Sequence, residues 1–176
     1  MFLRGGITFG QVYWDDTTVF GPGIVDAYQT ESNFAVFPRI VVGPTVLHAI
    51  LKGQILPYHD LDEELAYLRT MISQAEDGVW FIDYLRDAHR EMDEPDMYSD
   101  LLERHKRGIL TAQQLDDTGR LSSLAMKVSW LARYHNNTIG TISDSYLSEM
   151  GYARDSLSIS VDEVSTLIDL PAPIEL

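Results

Sequence analysis

The stretch LRGGITFGQVYWDDTTVFGPGIVDAYQTES, residues 3–32, decides how this chain is read. Leu3, Gly5, Ile7 and Phe9 alternate with Arg4, Gly6, Thr8 and Gly10, the period of two that marks a half-buried strand. The phase then slips to Val12 and Trp14, which predicts a bulge or kink near Gly10 and Gln11. DDTTVFGPG, residues 15–23, carries turn chemistry, and Pro22 suits the first turn of a helix, where its missing N–H costs nothing. Ile24, Val25 and Tyr28 then share one face of a helix ending near Ser32 or Asn33. AVFPRIVVGP, residues 35–44, gives a short strand, Arg39–Val42, closed by Gly43 and Pro44. Strand, helix and strand in this order predict one side of an α/β or α+β sandwich. A chain that opens inside a core strand is expected either to be edge-first or to lack a preceding segment.

Downstream the pattern turns helical. Thr45–Lys52 reads as a short helix stopped by Gly53, and LDEELAYLRTMI places Leu65, Leu68, Met71 and Ile72 at helical spacing. DGVWFIDYLRDA reads as a turn and a compact strand, Val79–Tyr84. Met97, Leu101, Leu102, His105 and Ile109 make one helical stripe, and Leu121, Leu124, Ala125, Val128, Leu131 and Ala132 make another. The tail, DEVSTLIDLPAPIEL, reads as peripheral.

Composition narrows the classes of function. The 176 residues carry 27 acidic against 13 basic side chains, a formal net charge of −14. Such a surface repels nucleic-acid backbones and anionic membranes, and ERHKRG at 103–108 is too short a basic run to reverse that. With no cysteine there is no disulfide, thiolate nucleophile or cysteine-ligated zinc, which fits a cytoplasmic protein. No apolar run approaches a membrane span.

Isolated motifs carry little chemistry. The five histidines, at 48, 59, 89, 105 and 135, miss the paired spacing of metal ligands, and a lone His105 on a helical stripe is more often a packed or rim histidine. HDLDEE and EMDEPD lack the spacing and closing glutamate of a calcium loop. RGGITFG lacks the spacing and the trailing Lys-Ser/Thr of a phosphate loop, so close backbone packing explains its glycines as well.

Taken together, however, the motifs from Arg4 to Val42 resemble the second half of a class III nucleotidyl cyclase catalytic domain. The matching pieces are RGGITFG, the aromatic-Gly pair in VFG, the helix GPGIVDAYQTES and the strand FPRIVV. Within that family the chain is most similar to the bacterial antiphage, Pycsar-type pyrimidine cyclases. DGVWFIDYLR, LLERHKRGI and KVSWLARYHN resemble their C-terminal region.

The resemblance implies an incomplete, ferredoxin-like α+β cyclase core over residues 1–55, with a mostly helical region over 56–176 packed on it. It implies conversion of UTP or CTP to the 3′,5′-cyclic monophosphate and pyrophosphate in a homodimer, as an antiphage signal. The complete enzyme would use Mg2+ or Mn2+, but the segment that supplies the metal-binding aspartates has no counterpart here. This chain therefore ligates no metal and is expected to be inactive alone.

By the same resemblance Thr18 reads the base edge, flanked by Asp16 and Phe20, and Arg4 and Arg39 meet phosphate. The family's transition-state asparagine falls at Val25 or Asp26, and its arginine at Gln29 or Thr30, so Asp26 and Gln29 take those positions while departing from the usual pair. The alternatives are a catalytically dead module that binds a nucleotide or partner, and a dimerisation piece using the apolar stripe at 121–132.

Overall fold

The protein is described by a computed structural model over residues 3–52, 60–92, 95–114 and 121–160. Its class is α+β, in two compact units, Phe2–Tyr84 and Leu85–Leu176. The division falls after Tyr84 and not at 55/56, because two further strands beyond residue 70 complete the sheet begun near the N-terminus.

The first unit opens with β1, Gly5–Ile7, a hairpin of β2, Tyr13–Trp14, and β3, Val19–Phe20, then helix α1, Pro22–Phe34. Strand β4, Ile40–Val42, helix α2, Pro44–Leu51, and helix α3, Leu61–Met71, follow. Strands β5, Ile72–Gln74, and β6, Trp80–Ile82, close it. The sheet order is β1-β4-β6-β5, with β1 and β4 parallel and the other pairs antiparallel. Val41 pairs with both Gly6 and Phe81, and Val41, Val42 and Phe81 of the two central strands are buried, as is Ile72 of the edge strand β5.

Glycine shapes this unit by allowing close approach. A Cβ on Gly6 would lie 2.7 Å from the Ala27 carbonyl oxygen and 2.8 Å from the Glu31 nitrogen, so α1 rests directly on the β1 backbone. The face that α1 buries is accordingly made of small residues, Gly23 and Thr30. Ile24, Val25 and Tyr28 point away from it and are exposed, the opposite of what a helix with an apolar stripe normally does.

Several boundaries differ from the sequence expectation. The ladder of the first strand is confined to Gly5–Ile7, and the phase slip at Gly10 and Gln11 is where the chain leaves the sheet for the hairpin. Ile72 opens β5 instead of ending the preceding helix, because its N–H still bonds the Leu68 carbonyl while its backbone is already extended. Tyr84 starts helix α4, Tyr84–Glu91, and leaves the strand at Trp80–Ile82. The Gly53 stop and the tail at 162–176 lie outside the described residues.

The second unit is helical: α5, Pro95–Gln114, α6, Leu121–Thr141, α7, Asp144–Glu149, and α8, Arg154–Leu157, together with most of α4. Both predicted stripes meet here. Leu102 and Ile109 of α5 and Ala125, Val128, Leu131 and Ala132 of α6 are buried in one core. These four residues of the α6 stripe are thus internal to the unit and not free to form a dimerisation surface. Leu85 anchors α4 in the same core, its N–H donating to the Tyr134 hydroxyl at 3.0 Å and its carbonyl accepting from the Tyr98 hydroxyl at 3.1 Å.

Candidate functional site

The hairpin is set by Asp15. Its Oδ1 accepts from the Thr17 N–H at 2.9 Å, the Thr17 hydroxyl at 3.0 Å and the Thr18 N–H at 2.9 Å, while the Tyr13 hydroxyl donates to Oδ2 at 3.1 Å. The Thr17 N–H and hydroxyl, followed by the Tyr13 hydroxyl, hold this carboxyl below its ordinary range. The Asx turn leaves Asp16 at the exposed tip and Thr18 just before β3, also exposed. Tyr13 and Phe20 pack with ring centroids 4.8 Å apart on one side of the hairpin. Sequence reasoning took Asp16 as the informative aspartate; Asp15 organises the loop, as an Asp two residues before a Thr often does.

Gly21, at φ 139°, turns the chain from β3 into α1; a Cβ there would meet the Gln11 carbonyl oxygen at 2.6 Å. Phe20 therefore stands just before the first turn of α1. Asp26 is half-buried about one turn in, and Gln29, three residues on, is exposed. Thr18, Phe20, Asp26 and Gln29 thus follow one another from the hairpin along α1.

The two arginines lie elsewhere. Arg4 precedes β1 and Arg39 precedes the parallel β4, so both sit at the edge of the sheet where these strands begin. The hairpin leaves the other end of β1, and α1 spans roughly 20 Å between the two ends. Arg4 is exposed and pairs with Glu31 near the C-terminus of α1, Nε to Oε1 at 3.1 Å.

Arg39 is almost wholly buried, and is neither a surface arginine nor open to phosphate. Its Nη1 and Nη2 donate to the two Asp77 carboxylate oxygens at 2.9 and 2.5 Å, and Nη2 also donates to the Phe34 carbonyl at 2.9 Å. Partial burial raises the Asp77 carboxyl, but hydrogen bonds from Arg39 and the Val79 N–H, with the Arg39 charge, outweigh it and leave the group below its ordinary value. Asp77 sits in the β5–β6 turn beside Gly78, at φ 76°. The fork clamps the end of α1, the start of β4 and that turn together.

Among the described residues no group of three or more histidine, aspartate or glutamate side chains could hold a metal ion. No chemical step is routed through a metal ion. Nor is any helix among them long and apolar enough to cross a membrane.

The hairpin and α1 share a second property. Trp14 is 79% exposed, Tyr28 69%, Phe20 56% and Val25 53%, with Val12, Tyr13, Val19 and Ile24 exposed beside them in the chain. At roughly 150–250 Å² for each fully exposed aromatic side chain, the four aromatics alone present on the order of 500 Å². That is comparable with the largest apolar patch of an ordinary monomer, about 300–600 Å², before the aliphatic residues are added.

No family model, curated protein or solved structure matches the chain.

Proposed function

We propose that this chain is the base-side portion of a pyrimidine nucleotide cyclase with a ferredoxin-like core, of the Pycsar type, working as a homodimer in the cytoplasm to make an antiphage signal. The observation that carries the reading is the joining of the separate motifs RGGITFG, VFGPG and PRIVV into one strand–hairpin–helix–strand unit. In it Gly6 and Gly21 are required by backbone contacts under 3 Å. The ribose 3′-oxygen of UTP or CTP would attack its own α-phosphorus, forming the cyclic diester as the bond to pyrophosphate breaks. Thr18, beside Asp16 and Phe20, offers a hydroxyl to the base edge. Asp26 and Gln29 face the reacting phosphate from α1. The apolar face of the hairpin and α1 packs against a second copy.

Arg4 is the remaining cation for phosphate, and it would have to leave Glu31 to serve. In the resemblance the metal-binding aspartates have no counterpart in this chain, so the chain alone would bind nucleotide without turning it over. Titration calorimetry with UTP, CTP, ATP and GTP, followed by mass spectrometry of the reaction mixtures, tests this. Saturable binding of UTP or CTP without cyclic product is expected, and product on fusing the aspartate-bearing N-terminal segment of a pyrimidine cyclase upstream. Absence of binding by all four nucleotides refutes the proposal.

The departure of Asp26 and Gln29 from the family's asparagine–arginine pair favours a second reading, a catalytically dead nucleotide-binding module. It is preferred if nucleotide binds but the fusion stays silent.

A further inference from the structure

The hydrogen bonds of the β2–β3 loop fix which way its threonine hydroxyls point. The Asp15 N–H donates to the Thr18 carbonyl at 3.0 Å and closes a loop of two residues, Asp16 and Thr17, beyond the ladder. Inside that frame the Thr17 hydroxyl lies 3.0 Å from Asp15 Oδ1 and 3.3 Å from the Thr18 hydroxyl. A carboxylate only accepts, so the single hydrogen of the Thr17 hydroxyl goes to Asp15. Thr17 then has lone pairs alone to offer its neighbour, and the hydrogen between the two hydroxyls comes from Thr18.

The Thr18 hydroxyl is thereby left with lone pairs on its outer side. Its N–H is committed as well, donating to Asp15 Oδ1 at 2.9 Å, as is the Thr17 N–H at 2.9 Å. Asp16, the residue set beside Thr18 at the base, brings a carboxylate, which is again an acceptor. These two side chains therefore offer acceptors and no donor. Cytosine and uracil differ at position 4 of the pyrimidine ring, where cytosine carries an amino donor and uracil a carbonyl acceptor. An acceptor placed there bonds the amino group and meets the carbonyl lone pair to lone pair.

We propose that the hairpin selects cytosine over uracil, Thr18 accepting from the 4-amino group of CTP while Asp15 and Thr17 hold its hydroxyl in the accepting orientation. Asp15 and Thr17 are positioning residues, acting through Thr18. This selection rests on the cyclase reading, which sets Thr18 at the base edge, and it narrows the substrate from UTP or CTP to CTP. A well-made base-edge contact discriminates by roughly 5–150-fold, and one exposed hydroxyl belongs at the low end, about fivefold.

Titration calorimetry of the full chain tests this with CTP, UTP and the triphosphate of pyrimidin-2-one riboside, which is cytidine without its amino group. CTP is expected to bind at least about fivefold more tightly than either of the others. Thr17→Val keeps the side-chain shape and the N–H that Asp15 holds but removes the hydroxyl between Asp15 and Thr18. It should bring CTP and UTP to within about twofold of each other, and Thr17→Ser should restore the preference. UTP binding the parent chain as tightly as CTP overturns the selection and leaves the cyclase reading standing. Equal binding of CTP and the pyrimidin-2-one nucleotide does the same, whether or not the variants fold. A folded Thr17→Val that weakens CTP and UTP alike, with their ratio unchanged, assigns Thr17 to the turn alone and also overturns it. Absence of binding by every nucleotide removes the cyclase reading and the selection together.

Discussion

Replacing Gly6 by alanine tests the packing that places α1 on the sheet. The added methyl would sit 2.7 Å from the Ala27 carbonyl oxygen, 2.8 Å from the Glu31 nitrogen and 3.0 Å from the Thr30 Cβ. Two of these neighbours are helix backbone, so no side-chain rotation relieves the contact and α1 must lift from β1. Overpacking of this kind costs about 1–3 kcal/mol. Stiffening of the unfolded chain returns roughly 0.4–1 kcal/mol. The expected net loss is about 1–2 kcal/mol, or a fall in Tm of roughly 5–15 °C for a unit of this size. Native-state amide exchange at Val41 and Phe81 reads the first unit by itself. Gly108 is the matched control, since it lies inside α5 with nothing within 4 Å of an added Cβ. Gly108→Ala should raise protection at Leu102 and Ile109 by about 0.8–1 kcal/mol, the helix-propensity difference. A Gly6→Ala protein as stable as the parent would refute the account of why RGGITFG is glycine-rich.

Two further outcomes follow from the clamp and the exposed face. Asp77→Asn leaves the buried Arg39 charge without its counter-ion; because the Asp77 side chain is 39% exposed, the cost should be about 1–3 kcal/mol, below that of a fully buried pair. The native carboxyl is held below its ordinary 3.8, so the stability it contributes is complete above that value and is lost as pH falls through the lower folded value; acid unfolding curves of Asp77→Asn should lack this component. In sedimentation velocity, Trp14→Ser combined with Tyr28→Ser should turn a dimer into a monomer at micromolar concentration, and a parent that already sediments as a monomer rules out the packing of this face on a second copy.

The existence of the first strand, the proline at the start of α1 and the IVV strand were legible in the sequence, because each is a local signal, but Leu3, Ile7 and Phe9, whose alternation predicts a half-buried strand, are exposed. Less legible was anything decided by partners far along the chain. Ile72 reads as the last turn of a helix until Ile82 of β6 is seen to pair with it. Arg39 reads as a phosphate ligand or a surface residue because nothing near it announces Asp77. Ile24, Val25 and Tyr28 read as a buried face because apolar residues at helical spacing usually are; the glycine of β1 reversed the helix by inviting its small side. His105 and His135, whose Nδ1 atoms lie 3.1 Å apart, are thirty positions apart in the chain and share no spacing rule. The placement of both arginines at the end of the sheet opposite the hairpin came from the parallel pairing of β1 and β4.

The Arg39–Asp77 fork also dates the assembly of the sheet. Its two halves are separated by 38 positions, which at 5–20 residues/s is roughly 2–8 s of synthesis. Throughout that interval the nascent chain carries a guanidinium destined for the interior without the carboxylate it meets there. A ribosome paused before codon 77 would therefore prolong the time without this clamp, and the codons from β4 to the β5–β6 turn are where hurrying translation would best protect the yield of folded protein.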